Sequence, residues 1–513
     1  MTSYNAATWL LDRHLDEGRG DRVAIRHRGD SHTYREVAGD VWRAQNAIAQ
    51  LGLEAGDRVA MVVNDEPGFV SWFLGAQRSG LIPIPLSTML TGPELAPIVD
   101  DAGAAAVVVS ADYNPHLAEV GSGAPAVRHA VTIGGETELQ DSSIASHQWE
   151  RFSDRAEAPV AGTTADSPAF WLYSSGTTGM PKGVMHRHGS LQATAETYAA
   201  KVLQTADDDR FLSVAKLFFA YGLGNSLTFP FAVGATTILD DRRPTPDTIL
   251  ELIASERPTL FFASPGFVAA VLDTDPDPAA LASVRATVTA GESLPADLQR
   301  RFSQHFGHPV LDGIGTTEAL HVFIANTLDE QQPGTSGRPV PGYDVEIRDE
   351  AGAPVVAHDT PGFLHVRGPS IADGYWQREE ATAAAFIDGW LRTGDVYTRS
   401  ADGCYTFLGR NNDMIKAGGI WVSPAEVESV LIEHPTVMEA AVVGARNDDG
   451  LETTMAFVVP ASGQTVDGAE LEAHCRERMA AFKRPRQVHV VDVLPKTATG
   501  KIQRYQLRAQ LDR

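Results

Sequence analysis

Short apolar segments alternate with helix-like segments along the first part of the chain, and this alternation limits the folds that the chain can adopt. Residues 58–63, 81–85 and 105–110 are apolar runs of strand length, whereas residues 34–51 and 68–78 place apolar side chains near helical spacing. Strands that alternate with helices form largely parallel sheets, because each helix carries the chain back to the start of the next strand. The sequence therefore predicts an α/β protein.

The pattern of residue types changes further along the chain. A polar, small-residue linker occupies residues 156–166, and more strand-like runs follow at 260–264 and 286–290. From about residue 331 the chain is rich in turn dipeptides, with Pro-Gly at 333, 341 and 361 and Asp-Gly at 388 and 402. Such turns at short intervals indicate a β-rich section.

The end of the chain contains strand-like runs at 440–444 and 454–460 and a helix-like run at 469–481. We therefore expect two domains. The first, residues 1–410, combines parallel-sheet α/β subdomains with a β-rich subdomain. The second, residues 411–513, is a small α+β domain.

Charge and composition exclude several classes of function. The chain has 513 residues, and its 42 basic and 66 acidic residues give a formal net charge of −24, which disfavours nucleic acid and anionic membranes as partners. Two cysteines provide neither a disulfide framework nor a cysteine metal cluster. The most apolar stretch, 211–239, is interrupted by Lys216, Asn225 and Pro230, so we predict buried strands and a loop there. With no leader pattern at the N-terminus, we expect a cytoplasmic monomer or homodimer.

A glycine-rich loop follows the strand-like run at 170–173. Residues 173–183 read YSSGTTGMPKG, which contains three glycines, four Ser or Thr hydroxyl side chains and a lysine. Backbone N–H and hydroxyl groups in such a loop can surround a phosphate. The Gly-Lys-Ser/Thr ending of a Walker loop is absent. By composition, phosphate binding and an ordinary polar turn both remain open.

Further motifs follow in a fixed order: GESLP at 291–295, DGIGTTE at 312–318, TGD at 393–395, GR at 409–410, DMIK at 413–416 and PKTATGK at 495–501. Together with the glycine-rich loop, this set resembles the adenylate-forming superfamily of acyl-CoA synthetases, carrier-loading adenylation enzymes and luciferases. The motifs span most of the chain, so the resemblance does not depend on a single loop.

The resemblance implies the sites for ATP and Mg²⁺. The residues that match the β- and γ-phosphate cradle are Ser174, Ser175, Gly176, Thr177, Thr178, Gly179 and Lys182. Those that match the adenine slot are Gly291, Glu292, Ser293, Asp312, Gly313 and Ile314. Thr317 matches a contact to the α-phosphate, Glu318 matches the Mg²⁺ ligand, and Asp395 and Arg410 match the ribose-binding pair. Mg²⁺ is a hard cation that prefers oxygen ligands, which suits a carboxylate.

In the family, the small domain is mobile and serves two half-reactions. Lys501 matches the lysine that bridges the substrate carboxylate and the α-phosphate, where an ammonium stabilises developing charge. The domain then rotates, and the loop at Gly418 and Gly419 forms the entry for the thiol of coenzyme A. The sequence departs from the family at the hinge, where Asn412 replaces the usual Asp or Lys. Asparagine tolerates unusual backbone angles, so we expect rotation to be retained.

The acid-binding region resembles the benzoate- and hydroxybenzoate-CoA ligase branch in SVAKLFFAYGLGN at 213–225, LHVF at 320–323 and GTSGRPVPGY at 334–343. In that branch the ring pocket is lined by residues that match Ala220, Tyr221, Gly315, His321 and Val322. An aromatic wall with one polar group suits a planar aryl ring. No acidic residue lies between 215 and 231 to pair the ammonium of an amino acid.

The sequence therefore predicts an AMP-forming aryl-CoA ligase that uses ATP, Mg²⁺ and coenzyme A. A stand-alone aryl-acid adenylating enzyme that loads a carrier protein remains the alternative. Two other features are interpreted as structural: the histidines of HRH at 186–188, for which no third metal ligand lies at a suitable spacing, and the acidic run 207–209, which we expect to be a solvated turn.

Overall fold

The computed structural model describes residues 2–136, 144–174, 180–417, 420–446, 452–496 and 502–511. Its largest sheet has nine strands in the order Arg338–Pro339, Val322–Ala325, Val310–Gly315, Ala286–Thr289, Leu260–Ala263, Arg210–Ser213, Thr236–Leu239, Val23–His27 and Asp30–Thr33. Neighbouring strands from Val310–Gly315 through Val23–His27 are parallel, and the pairs at the two edges are antiparallel. Their carboxyl ends therefore meet along one edge of the sheet.

A second sheet has five parallel strands in the order Ile82–Pro85, Arg58–Val62, Ala106–Ser110, His129–Ile133 and Ala145–Gln148. Helices that cover the two parallel sheets include Tyr34–Gln50, Pro67–Arg78, Gly92–Ala102, Leu117–Gly123, His188–Thr194, Pro246–Glu256, Pro265–Asp273 and Ala296–Phe306. The Pro67–Arg78 helix is buried from Gly68 to Arg78, and its sequence is accordingly apolar at most positions rather than along one face.

Four further sheets occur in the described part of the chain. Pro168–Ser174, Lys182–Arg187 and Gly374–Tyr375 form a three-stranded antiparallel sheet. The β-rich section contains Asp344–Arg348, Gly362–Arg367, Phe386–Ile387, Trp390–Arg399 and Tyr405–Arg410, with one helix, Glu379–Ala385. The C-terminal section has the hairpin Ile415–Ala417 and Ile420–Val422, the strands Val437–Arg446, Glu452–Pro460 and Gln487–Val490, and the helices Pro424–Ile432, Gly468–Arg478 and Arg504–Leu511.

These sheets confirm the predicted α/β architecture, with its β-rich section and its small C-terminal α+β unit. The β-rich section ends at Arg410, and the division of the chain at residues 410 and 411 remains a prediction. In the part of the chain that the structure describes, no helix combines the length and apolar character needed to cross a membrane.

The prediction for residues 211–239 was wrong in its middle part. Strands occur at the two ends, but Ala220–Leu223, Gly224–Thr228 and Phe229–Val233 form a continuous run of α- and π-helical turns. Most of this run is buried, so its apolar side chains show no helical periodicity in the sequence. A fully buried helix and a buried strand have the same apolar pattern.

The prediction of a solvated turn at 207–209 was also wrong for its last residue. Asp207 is exposed and binds Arg22, whereas Asp209 is buried. Arg285 donates to both carboxylate oxygens of Asp209 at 2.9 and 2.8 Å, and Thr259 donates to Oδ1. Asp209 therefore anchors three segments of the large sheet.

Candidate active site

A cavity of about 620 Å³ opens at the carboxyl-terminal edge of the nine-stranded sheet, where parallel sheets commonly bind ligands. The cavity brings together all five residues predicted to bind the acid, which are Ala220, Tyr221, Gly315, His321 and Val322. Its lining also includes Gly291 and Thr317, which were predicted to contact the nucleotide. Residues from two distant motifs thus meet in one cavity.

Aromatic rings form one end of this cavity. The Tyr221 hydroxyl donates to the Val288 carbonyl at 3.0 Å, which fixes the ring against the sheet. The His321 ring centroid lies 5.4 Å from that of Tyr221, 5.2 Å from that of Tyr198 and 4.6 Å from that of Phe229. The result is a rigid, apolar and planar end wall.

His321 is held by a residue that the sequence analysis did not single out as a site residue. Its Nε2 donates to Asn225 Oδ1 at 3.2 Å, and Asn225 Nδ2 donates to Ser213 Oγ at 3.4 Å. Burial lowers the pKa of His321 to about 3, so the ring is neutral at physiological pH. Asn225 could have been found as the one carboxamide in an otherwise apolar buried run.

Two glycines allow the wall to form. A Cβ atom on Gly224 would lie 2.3 Å from His321 Cδ2, and a Cβ atom on Gly315 would lie 2.6 Å from the His321 carbonyl oxygen. Any other residue at either position would displace His321. The glycine at 315 is therefore explained by close packing around the ring pocket.

The loop that leads into Ala220 and Tyr221 is anchored at its start. Asp65 accepts a hydrogen bond from the Leu217 amide at 3.0 Å, and Lys216 donates to the Asp240 carbonyl at 2.6 Å. Burial raises the pKa of Asp65 to about 6, although the nearby Lys216 opposes this shift. Asp65 lies more than 150 residues before the loop, and sequence reasoning did not identify it.

Asp312, which was predicted in the adenine slot with Gly313 and Ile314, lies on the strand Val310–Gly315 and is not among the residues that line the cavity. Its Oδ1 accepts a hydrogen bond from Thr289 Oγ1 at 2.8 Å. Burial raises the pKa of Asp312 to about 8, and the hydrogen bonds from Thr289 and Gly313 offset only part of this shift. The carboxyl group is therefore mostly protonated at neutral pH, and its contact with adenine remains a prediction.

On the phosphate side, the hairpin that carries the glycine-rich loop pairs Ser174 with Lys182 across its two strands. Residues 175–179, which hold the predicted cradle residues Ser175, Gly176, Thr177, Thr178 and Gly179, lie outside the described residues. Lys182 Nζ lies 5.0 Å from the centroid of the Tyr375 ring, and the Tyr375 hydroxyl donates to Glu318 Oε1 at 2.8 Å. The structure thus groups a predicted phosphate ligand with the predicted metal ligand.

His186 contacts the segment that contains Thr317 and Glu318. Its Nε2 donates to the Thr317 carbonyl at 2.8 Å, and its ring stacks on Phe170 at a centroid distance of 5.1 Å. Burial lowers the pKa of His186 to about 4, so the histidine is neutral. The interpretation of His186 as structural fits these contacts, but the contact with Thr317 was not foreseen.

The predicted ribose pair meets in the β-rich section. Asp395 and Arg410 face each other across antiparallel strands, and Arg410 Nε lies 3.0 Å from Asp395 Oδ1. Asp395 is buried, whereas the Arg410 side chain is 45% exposed. Arg410 also donates to the Thr393 carbonyl at 3.0 Å, so the TGD and GR motifs form one unit.

A second cavity, of about 220 Å³, lies between the N-terminal and C-terminal sections. Gly291, Glu292 and Ser293 line one side, and Lys496 and Arg504 line the other. Lys496 Nζ lies 2.7 Å from Glu439 Oε1. The predicted residues Lys501, Gly418 and Gly419 lie outside the described residues.

Glu318 suits a magnesium ion that arrives with its nucleotide. Within the described ranges, no group of three or more His, Cys, Asp or Glu residues could hold a metal without other ligands. Mg²⁺ commonly takes one or two carboxylates and completes its shell with phosphate oxygens and water. One carboxylate beside a phosphate-binding lysine fits that pattern.

Comparison with known proteins gives the family. The model of AMP-binding enzymes matches residues 11–376, and the model of the C-terminal domain of these enzymes matches residues 426–501. The chain belongs to the AMP-binding enzyme family, as its motifs predicted.

Several relatives share nearly the whole chain. It is 43% identical to benzoate–CoA ligase of Thauera aromatica over 99% of this chain and 96% of the relative. It is 40% identical to 4-hydroxybenzoate–CoA/benzoate–CoA ligase of Rhodopseudomonas palustris over 99% of this chain and 94% of the relative. A solved benzoate CoA ligase from Burkholderia xenovorans is 39% identical and superimposes with a TM-score of 0.90, covering 98% of this chain and 100% of that structure. The resemblance to this branch is confirmed.

Proposed function

We propose that the protein is an ATP-dependent aryl-CoA ligase that acts on benzoate or a simply substituted benzoate. The observation that carries this proposal is the closed aromatic end of the cavity at Tyr221 and His321, beside the turn of Thr317 and Glu318. The relatives named above act on the same class of acid. The products are an aryl-CoA thioester, AMP and pyrophosphate.

The first half-reaction joins the acid to the nucleotide. A carboxylate oxygen of the acid attacks the α-phosphorus of ATP, the bond to the bridging oxygen breaks, and pyrophosphate leaves. Lys182 and Thr317 bind phosphate oxygens, and Lys501 bridges the carboxylate and the α-phosphate. Glu318 would hold Mg²⁺, which would supply positive charge to neutralise the phosphates. No general base is needed, because the acid is already ionised.

The second half-reaction transfers the acyl group. The thiol of coenzyme A loses its proton to water, and its sulfur attacks the acyl carbon. The bond from this carbon to the phosphate oxygen breaks, and AMP leaves with the electron pair. We propose that residues 411–513 rotate between the two steps about Asn412, so that Gly418 and Gly419 replace Lys501 at the site. Asp395 and Arg410 hold the ribose throughout, because they belong to the larger domain.

The ring pocket supports an aryl acid over other acids. His321 is neutral and no acidic side chain occurs between residues 215 and 231, so the segment that carries Ala220 and Tyr221 offers no carboxylate to a substrate ammonium. The aromatic rings around His321 block the path that a long alkyl chain would need. A single planar ring fills such a pocket and buries its apolar area.

The test is release of AMP by the purified protein with ATP, Mg²⁺ and a panel of acids, with coenzyme A or a pantetheinylated carrier protein as acceptor. We expect benzoate and small substituted benzoates to be turned over with coenzyme A and hexanoate to be a poor substrate. A preference for hexanoate would overturn the aryl assignment. Transfer to the carrier alone would favour the carrier-loading alternative. The cytoplasmic location and the monomeric or homodimeric state remain predictions.

A further inference from the structure

Tyr375 stands between two charged groups of opposite sign. Its ring lies under the Lys182 ammonium, with Nζ 5.0 Å from the ring centroid, and its hydroxyl donates to Glu318 Oε1 at 2.8 Å. Lys182 and Glu318 themselves form no ion pair within 4.0 Å in the described part of the chain. The phenol therefore contacts both groups while it keeps them apart.

The backbone around Tyr375 makes this arrangement rigid. Tyr375 pairs with Val184 in the strand that follows the glycine-rich loop, and the Trp376 amide donates to the Gly183 carbonyl at 2.8 Å. The Ala372 amide donates to the Glu318 carbonyl at 2.8 Å. The same short segment thus binds both the phosphate-loop hairpin and the Thr317–Ala319 turn.

We propose that Tyr375 is a positioning residue that sets the Glu318 carboxylate for the metal and prevents Lys182 from pairing with Glu318 before the nucleotide binds. This inference rests on the proposed function, in which Glu318 holds Mg²⁺ and Lys182 binds phosphate. An ammonium and a carboxylate that neutralise each other lose much of their attraction for phosphate and metal. A neutral aromatic spacer keeps both charges available.

The two parts of the phenol have separable effects. Tyr375→Phe removes the hydroxyl and keeps the ring, so only the orientation of Glu318 is lost. Tyr375→Ala removes the spacer as well, and Lys182 is then free to pair with Glu318. Removing a group that orients a metal ligand commonly weakens metal affinity by about tenfold or more.

The experiment measures binding of a non-hydrolysable ATP analogue to the full-length protein by calorimetry, with and without Mg²⁺, and binding of Mn²⁺ in the presence of the analogue by electron paramagnetic resonance. For Tyr375→Phe we expect metal-free affinity for the analogue to stay within about twofold of wild type and Mn²⁺ affinity to fall about tenfold. For Tyr375→Ala we expect both affinities to fall. Tyr405→Phe, which removes a buried hydroxyl bonded to the Val345 carbonyl, is the matched control.

A double-mutant cycle that combines Tyr375→Phe with Glu318→Gln separates a loss of carboxylate positioning from general damage to the fold. The loss of Mn²⁺ affinity caused by Tyr375→Phe should disappear when Glu318 is already replaced, because both changes act through the same carboxylate. Equal Mn²⁺ affinity in wild type and Tyr375→Phe would overturn the inference. If wild type binds the analogue equally with and without metal, the assignment of Glu318 as a metal ligand fails, and this inference fails with it.

Discussion

His321 Nε2 and Asn225 Oδ1 lie 3.2 Å apart at the closed end of the ring pocket, and both side chains are buried. Because the carboxamide oxygen can only accept a hydrogen bond, it fixes the proton of the neutral imidazole on Nε2. His321 therefore has a fixed ring orientation and a fixed protonation state. It can shape the pocket and make ring-edge contacts, but it is not suited to transfer protons.

This relationship predicts the effect of His321→Ala. We expect the variant to change acid preference and the KM for the acid more than the maximal rate with its best remaining substrate. A methyl or halogen changes discrimination by only about 1–3 kcal/mol, so wild type should show graded rather than absolute rejection of substituted benzoates. The measurement is kcat/KM for benzoate, its ortho-, meta- and para-substituted forms and hexanoate. His129→Ala, at the start of the strand His129–Ile133 in the other parallel sheet, is the control. An unchanged preference in His321→Ala would contradict the assignment.

Asp312 predicts a dependence of stability on pH. Its pKa is raised to about 8 in the fold, whereas an unfolded aspartate titrates near 4, so the folded state binds an extra proton between these values. Asp312 therefore makes a contribution to the free energy of unfolding that is fully present below about pH 4 and is lost as the pH rises towards 8. Asp312→Asn keeps the shape and removes the titration. We expect its melting temperature, relative to wild type, to rise by about 1–4 °C between pH 5 and pH 8.5, as followed by thermal unfolding. Asp402→Asn, at an exposed turn, is the control, and a parallel pH dependence in wild type and Asp312→Asn would contradict the prediction.

Lys501 predicts a difference between the two half-reactions. Loss of a positioned charge donor costs on the order of 10²–10³ in rate, so Lys501→Ala should lose at least that much adenylation, measured by pyrophosphate exchange. With preformed aryl-adenylate and coenzyme A, the variant should retain much more of the thioester-forming step. Lys201→Ala, at an exposed helical position, should leave both steps unchanged. Equal loss of both steps would argue against rotation of the small domain.

The basic residues of the small domain predict how coenzyme A is bound. Lys483, Arg484 and Arg486 lie close together in the sequence of this domain. Lys483 pairs with Glu426 at 2.5 Å, and Arg484 donates to the Met479 carbonyl at 3.0 Å. Arg486 is exposed, and it is the position at which an anion is most easily reached. Arg486→Glu should raise the KM for coenzyme A several-fold at low salt, less at high salt, and leave the KM for ATP unchanged. Arg151→Glu is the control, and an unchanged KM for coenzyme A would reject the role.

Elements with a clear local signal were predicted closely. The helix expected at 34–51 is Tyr34–Gln50, and the strand expected at 58–63 is Arg58–Val62. The buried side chains of this helix recur at helical spacing, as its apolar residues do in the sequence. Thr33 and Glu36 form a capping box at its start. Where every side is buried, as in the turns from Ala220 to Val233, periodicity carries no information.

The sequence predicted the motif residues of the site but not the residues that hold them in position. Glu318 and Tyr375 are separated by 57 positions, and His186 and Thr317 by 131. Such contacts arise from the order of strands in three-dimensional space, which spacing along the chain does not encode. The motif residues could be placed because their chemistry is concentrated in short segments. Asn225, His186 and Tyr375 act through contacts with residues that are distant in the sequence, so the sequence alone gave each of them little weight.

The packing of Gly224 and Gly315 against His321 restricts how the pocket can be redesigned for a different acid. Neither glycine can gain a side chain without pushing the imidazole, and neither has a side chain to lose. New space must therefore come from trimming Val322 or from replacing His321 itself, and a smaller pocket from enlarging Ala220. Variation in acid preference among enzymes with this pocket should then concentrate at those three positions, while the two glycines stay fixed.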